Sequence, residues 1–75
     1  MSYSDEIKKI RKKCFLSQEA FGREIKVSFS SINRWESGKS KPNMTAMKKL
    51  KDFCYIHDID FTVLEEQWNN LEKDK

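Results

Sequence analysis

Apolar residues recur along this chain at helical spacing in five stretches separated by capping residues. Tyr3, Ile7, Ile10 and Cys14 follow one another at intervals of four, three and four, which predicts a first helix from about Asp5 to Lys13. Ser4 is its expected N-cap, and Asp5 and Glu6 suit the positive end of the helix dipole. Ser17 starts a second helix, Gln18 to Ile25, with Phe21 and Ile25 on the inward side. Lys26, Val27 and Ser28 then break the pattern, and Ser28 caps a third helix, Phe29 to Glu36, with Ile32 and Trp35 inward. Gly38 and Pro42 end that run, so Lys39, Ser40 and Lys41 read as a loop. Asn43 opens a fourth helix, about Met44 to Tyr55, with Met47, Leu50, Phe53 and Cys54 inward. Asp58 or Asp60 caps a fifth, over about 60–72, whose stripe is Phe61, Leu64, Trp68 and Leu71.

Composition agrees with an all-α domain. The 75 residues include only two glycines and one proline, too few for a strand-rich fold with many tight turns. A chain this short forms one domain, expected to span 1–75, and a large catalytic cleft is excluded. Hydrophobic residues make up 37% and charged residues 36%, with a mean hydropathy of −0.83 and no apolar run long enough for a membrane span. No targeting segment is visible, and a cytoplasmic address is expected. Cys14 and Cys54 have neither the spacing nor the histidine partners of a zinc or redox motif, and are expected as reduced core thiols. His57 is solitary, so no metal or other cofactor is expected. No nucleophile, base and orienting group can be assembled, and an enzyme is not expected.

Charge is divided unevenly. Residues 1–41 carry ten Lys/Arg against five Asp/Glu, a net of +5, whereas residues 42–75 carry five against seven, a net of −2. A basic half of this kind attracts a polyanion. Two serine-capped helices joined by a three-residue turn, over about 18–36, form a helix-turn-helix pattern. In that arrangement the first helix crosses the phosphate backbone and the second enters the major groove. The outward residues of the second are Phe29, Ser30, Asn33 and Arg34. Arg34 fits the O6/N7 edge of guanine, Asn33 can pair with adenine, Ser30 serves several bases and Phe29 meets a thymine methyl. Phe29 has an equal alternative as the edge of the core. Gln18 and Ser28, at the two helix starts, are expected at phosphates.

From Ile7 to about Phe53 the chain resembles the Cro/C1-type (XRE) helix-turn-helix domain of phage repressors and bacterial regulators. The match is carried by Leu16-Ser17-Gln18-Glu19 and by the run from Ser31 through Ile32-Asn33-Arg34-Trp35-Glu36-Ser37-Gly38 to Pro42. The resemblance implies a five-helix, lambda-repressor-like fold that binds operator DNA, usually as a dimer. It also implies phosphate contacts from Lys39 and Lys41 and a structural pair between Arg11 and Glu36. Three positions depart from the family pattern. Lys26 stands where glycine is preferred in the turn, Gly22 where alanine is preferred, and Phe15 where a glycine often separates the first two helices. A left-handed Lys26 would cost about 1–2 kcal/mol.

The expected function is therefore sequence-specific regulation of transcription, of the phage or mobile-element repressor type, by occupancy of double-stranded DNA. The alternative is an antitoxin-like or other protein-interaction module on the same fold, with DNA binding secondary. A homodimer is expected through Leu64, Trp68 and Leu71, unless Trp68 folds back toward Tyr3 and the first helix to complete the monomer's own core.

Overall fold

The four stretches that open on Ser2, Ser17, Ser28 and Asn43 become helices for one shared reason. Each of these residues has an extended backbone, and its side-chain oxygen accepts the amide N–H three residues on, at 3.3, 3.0, 3.2 and 2.8 Å respectively. Such a cap satisfies one of the donors that a helix start leaves without an internal partner, and losing it costs about 0.5–2 kcal/mol. The computed structural model describes residues 2–73, with side chains through residue 70. It contains α1 (Tyr3–Lys13), α2 (Gln18–Ile25), α3 (Phe29–Glu36), α4 (Met44–Ile56) and α5 (Thr62–Lys73), with no strand among the described residues.

One start differs from expectation, and another decides between two expected caps. The first helix is capped by Ser2 rather than Ser4, whose hydroxyl instead lies 3.0 Å from that of Ser2. The fifth begins at Thr62, whose N–H is taken by Asp60 at 2.9 Å, so Asp60 and not Asp58 serves that start. Asp58 instead closes α4. It has a φ of 56°, with its N–H on the Tyr55 carbonyl and that of Ile59 on the Cys54 carbonyl.

The same paired closing bonds end α1 at Phe15 (φ 57°) and α3 at Gly38 (φ 80°). Lys26 (φ 59°) ends α2 with its N–H and that of Val27 both on the Gly22 carbonyl. Four helices therefore end on a left-handed residue, and only one of the four is glycine. The conformation of Lys26, left open by the sequence, is left-handed, and Phe15 and Asp58 share it.

Ile7 and Ile10 of α1, Phe21 and Ile25 of α2, Ile32 and Trp35 of α3, five residues of α4 from Ala46 to Cys54, and Leu64 of α5 form one core. In it α1 packs on α3 and α5, and α2 on α3 and α4. Phe21 and Phe53 meet edge to face with centroids 5.1 Å apart, an arrangement that aromatic quadrupoles favour. His57 caps α4 and rests on the Phe53 ring at 4.2 Å. Both cysteines are free, Cys54 buried and Cys14 half-buried.

The expected partner surface on α5 is corrected in part. Leu64 is 1% exposed within a single chain and belongs to the core. Trp68 turns inward and donates its indole N–H to the Pro42 carbonyl at 2.6 Å, so it closes the monomer against the loop after α3. The Leu71 side chain lies outside the described residues. No helix among the described residues is long and apolar enough to cross a membrane.

Candidate nucleic-acid interface

The turn between α2 and α3 is built from two close approaches. Val27 donates its N–H to the Gly22 carbonyl at 2.8 Å. A Cβ on Gly22 would lie 2.5 Å from the Val27 carbonyl oxygen and 3.6 Å from the Ile32 side chain. Gly22 thus supplies space that the chain needs to double back, and Lys26 supplies the left-handed turn. Lys49 of α4 braces it by donating to the Lys26 carbonyl at 3.1 Å.

Glu36, the last residue of α3, is buried beneath this pair of helices. Its two carboxylate oxygens accept Arg11 Nε at 2.7 Å and Nη2 at 3.0 Å, a fork-to-fork pair. A third Arg11 nitrogen reaches the Leu16 carbonyl at 2.8 Å, tying α1 to the entry of α2. The pairing implied by the family pattern is therefore present. The Glu36 side chain is 2% exposed and that of Arg11 13%. The hydrogen bonds to Glu36 raise the guanidinium pKa further above its already high range, outweighing the opposing effect of burial.

Gln18 also reaches this carboxylate. Its Nε2 donates to Glu36 Oε1 at 3.0 Å, and its Oε1 accepts Asn33 Nδ2 at 3.2 Å. Ser28 spends its hydroxyl on the α3 cap and on Ser31, 3.1 Å away. Of the four side chains expected at phosphates, Gln18 and Ser28 thus have partners inside the domain. Periodicity placed Gln18 and Asn33 on helix faces, but their mutual bond depends on the angle between two helices.

Phe29, Ser30, Asn33 and Arg34 are all exposed on one side of α3, while Ile32, Trp35 and Glu36 are buried on the other. Phe29 is 52% exposed, so it lies at the rim and not inside the core. The loop after α3 is held from both sides. Tyr3 donates its hydroxyl to the Ser40 carbonyl at 2.8 Å, and Trp68 bonds the Pro42 carbonyl. Burial pushes the Tyr3 hydroxyl pKa up. Lys39, just before the first clamp, is exposed, and between the clamps the Lys41 ammonium sits 5.7 Å from the centre of the Trp68 ring. Neither clamp was visible in the sequence, since each joins residues 26 or more positions apart. No cluster of metal-ligating side chains occurs among the described residues.

Comparison with known proteins agrees with this architecture. A family model described as helix-turn-helix matches residues 7–54. The HTH-type transcriptional activator BcrR of Enterococcus faecalis is 34% identical over 56 residues, which is 75% of this chain and 28% of that protein. The chain therefore spans little more than a quarter of that relative's length. No solved structure gives a significant match. The matched segment runs from within α1 to Cys54 in α4 and contains the capped helix pair, its turn and the Arg11–Glu36 pair; the chain belongs to the Cro/C1-type (XRE) helix-turn-helix family of DNA-binding transcription regulators.

Proposed function

We propose that this domain regulates transcription by binding a specific site on double-stranded DNA, with α3 in the major groove. The observation that carries the reading is the division of α3. Ile32, Trp35 and Glu36 lock one side into the core, and Ser30, Asn33 and Arg34 stand exposed on the other. A rigid helix with a free polar face can be aligned against base edges. In this reading Arg34 takes guanine, Asn33 adenine, Ser30 a neighbouring base and Phe29 a thymine methyl. Lys39 and Lys41, on the clamped loop, supply phosphate attraction, which sets register without reading sequence. Repression follows where the occupied site overlaps a promoter. Two copies on an inverted repeat would place their recognition helices about 34 Å apart. The exposed Tyr55 and Ile56 at the end of α4 offer apolar surface for such pairing.

The test compares a site selected from random duplexes with unselected duplex. Arg34→Ala weakens binding to the selected site far more than to unselected duplex, by about 1–3 kcal/mol of discrimination. Lys39→Ala weakens both by the same factor. Equal losses on both DNAs for Arg34→Ala would remove it from the base-reading set.

A further inference from the structure

Arg11, Glu36, Gln18 and Asn33 form one hydrogen-bonded series that runs from the core to the outer face of α3. Its direction follows from donor chemistry. An ionised carboxylate only accepts, so the nitrogen end of the Gln18 amide must face Glu36. The oxygen end of Gln18 then faces Asn33, and a carbonyl oxygen also only accepts. The nitrogen end of Asn33 is therefore turned toward Gln18, which leaves Asn33 Oδ1 and its second N–H for a partner outside the protein.

We propose that Gln18 is a positioning residue that sets the orientation of the Asn33 amide, and through it a preference for adenine at the base pair Asn33 meets. The proposal rests on the reading that α3 enters the major groove. Adenine presents there an N6 donor and an N7 acceptor, which an amide with fixed polarity meets with Oδ1 and the remaining N–H. An amide free to rotate end over end satisfies other edges as well and discriminates less. The buried charge of Glu36 thus acts on the readout through Gln18. Both ends of the Gln18 amide have partners within the domain, with one Nε2 hydrogen beyond the bond to Glu36, and the part of Gln18 in reading sequence is to orient Asn33. Arg11 holds the Glu36 carboxylate in place, so the polarity of an exposed side chain originates in a salt bridge between α1 and α3.

The experiment selects preferred sites from a random duplex library with wild type and with Asn33→Ala. The base pair whose preference is lost in Asn33→Ala is the one Asn33 reads. Affinities are then measured with all four base pairs, and with 7-deazaadenine, at that position for wild type, Gln18→Met, Gln18→Lys, Asn33→Ala and Gln18→Met/Asn33→Ala. Wild type favours adenine by roughly tenfold or more and loses most of this with 7-deazaadenine, which lacks the N7 acceptor. Gln18→Met has the length of glutamine without its amide, and its preference falls below about threefold, whatever it loses on unselected duplex. Gln18→Lys keeps a donor for Glu36 and adds a positive charge. It binds unselected duplex more tightly, yet loses the adenine preference as Gln18→Met does. In the Asn33→Ala background Gln18→Met changes nothing further.

A uniform loss across all duplexes for Gln18→Met would make Gln18 a phosphate anchor and overturn the proposal. So would a wild-type preference retained in both Gln18 variants. If Arg34→Ala relaxes specificity but Asn33→Ala does not, the recognition reading stands and this proposal fails. If neither does, both fail. A measurement on the unaltered protein stands apart from variant folding: the Asn33 side-chain amide protons show a hydrogen-bonded chemical shift, and shifts matching a free asparagine amide overturn the assignment.

Discussion

The carbonyl oxygen of Val27 occupies the space beside Gly22 where any other residue would carry its Cβ, at 2.5 Å from that position. The obstacle is backbone, held by the Val27 N–H bond to the Gly22 carbonyl, and cannot swing aside as a side chain would. Gly22→Ala therefore forces the turn open and lowers stability by about 1–3 kcal/mol, the usual range for overpacking. Thermal or urea unfolding measures it. An unchanged midpoint would show that the turn relaxes freely.

The left-handed Phe15 and Lys26 carry strain that glycine would not. Phe15 is also 96% exposed, so its ring contributes nothing to the core. Each left-handed non-glycine costs about 1–2 kcal/mol, and the extra freedom that glycine gives the unfolded chain takes back roughly 0.4–1 kcal/mol. Phe15→Gly and Lys26→Gly should each raise stability by up to about 1 kcal/mol. The Lys49 bond to residue 26 survives, because it ends on the backbone carbonyl. A lower melting temperature for either variant would reveal a contact worth more than the strain.

Arg11 and Glu36 act as a unit. Arg11→Met leaves a carboxylate buried without its cation, a change that typically costs about 3–5 kcal/mol. Glu36→Gln leaves the guanidinium without its counter-charge and also weakens the acceptor for Gln18. Arg11→Met/Glu36→Gln should cost less than the sum of the two single changes. Additivity in urea unfolding would mean that the two residues are uncoupled.

Cys54 gives stability a pH dependence. Burial pushes its thiol from the usual 9.0 up to about 11, with smaller contributions from Cys14 and Asp60. Between these two values the folded state holds a proton that the unfolded state has released. The stabilisation is complete below pH 9 and is lost as pH rises through about 11. Urea midpoints should fall more steeply over that window in wild type than in Cys54→Ala. Parallel curves would assign the loss to other groups.

How far the chain could be read without its fold differs from residue to residue. The limits of α2 and α3, the inward Ile32 and Trp35, and the exposed face of Phe29, Ser30, Asn33 and Arg34 were all legible in the sequence. Each depends on interactions within a few positions: apolar periodicity, a capping side chain, a break in the pattern. The Arg11–Glu36 pair was legible through the family pattern alone, since 25 positions separate its members.

Tertiary structure decided the rest. Helix packing joined the Gln18 amide to Glu36 and Asn33, because a side chain's partner depends on which helix crosses above it. It drew Leu64 wholly into the core, and it directed Trp68 to Pro42 when an apolar stripe says only that a face will be covered, not by what. The sequence by itself determined the five helices and the face that α3 leaves open. Only the packed domain decided which polar groups remain free on that face, because hydrogen bonds over 15 to 26 positions form once the backbone geometry has brought their atoms within 3 Å or so of one another.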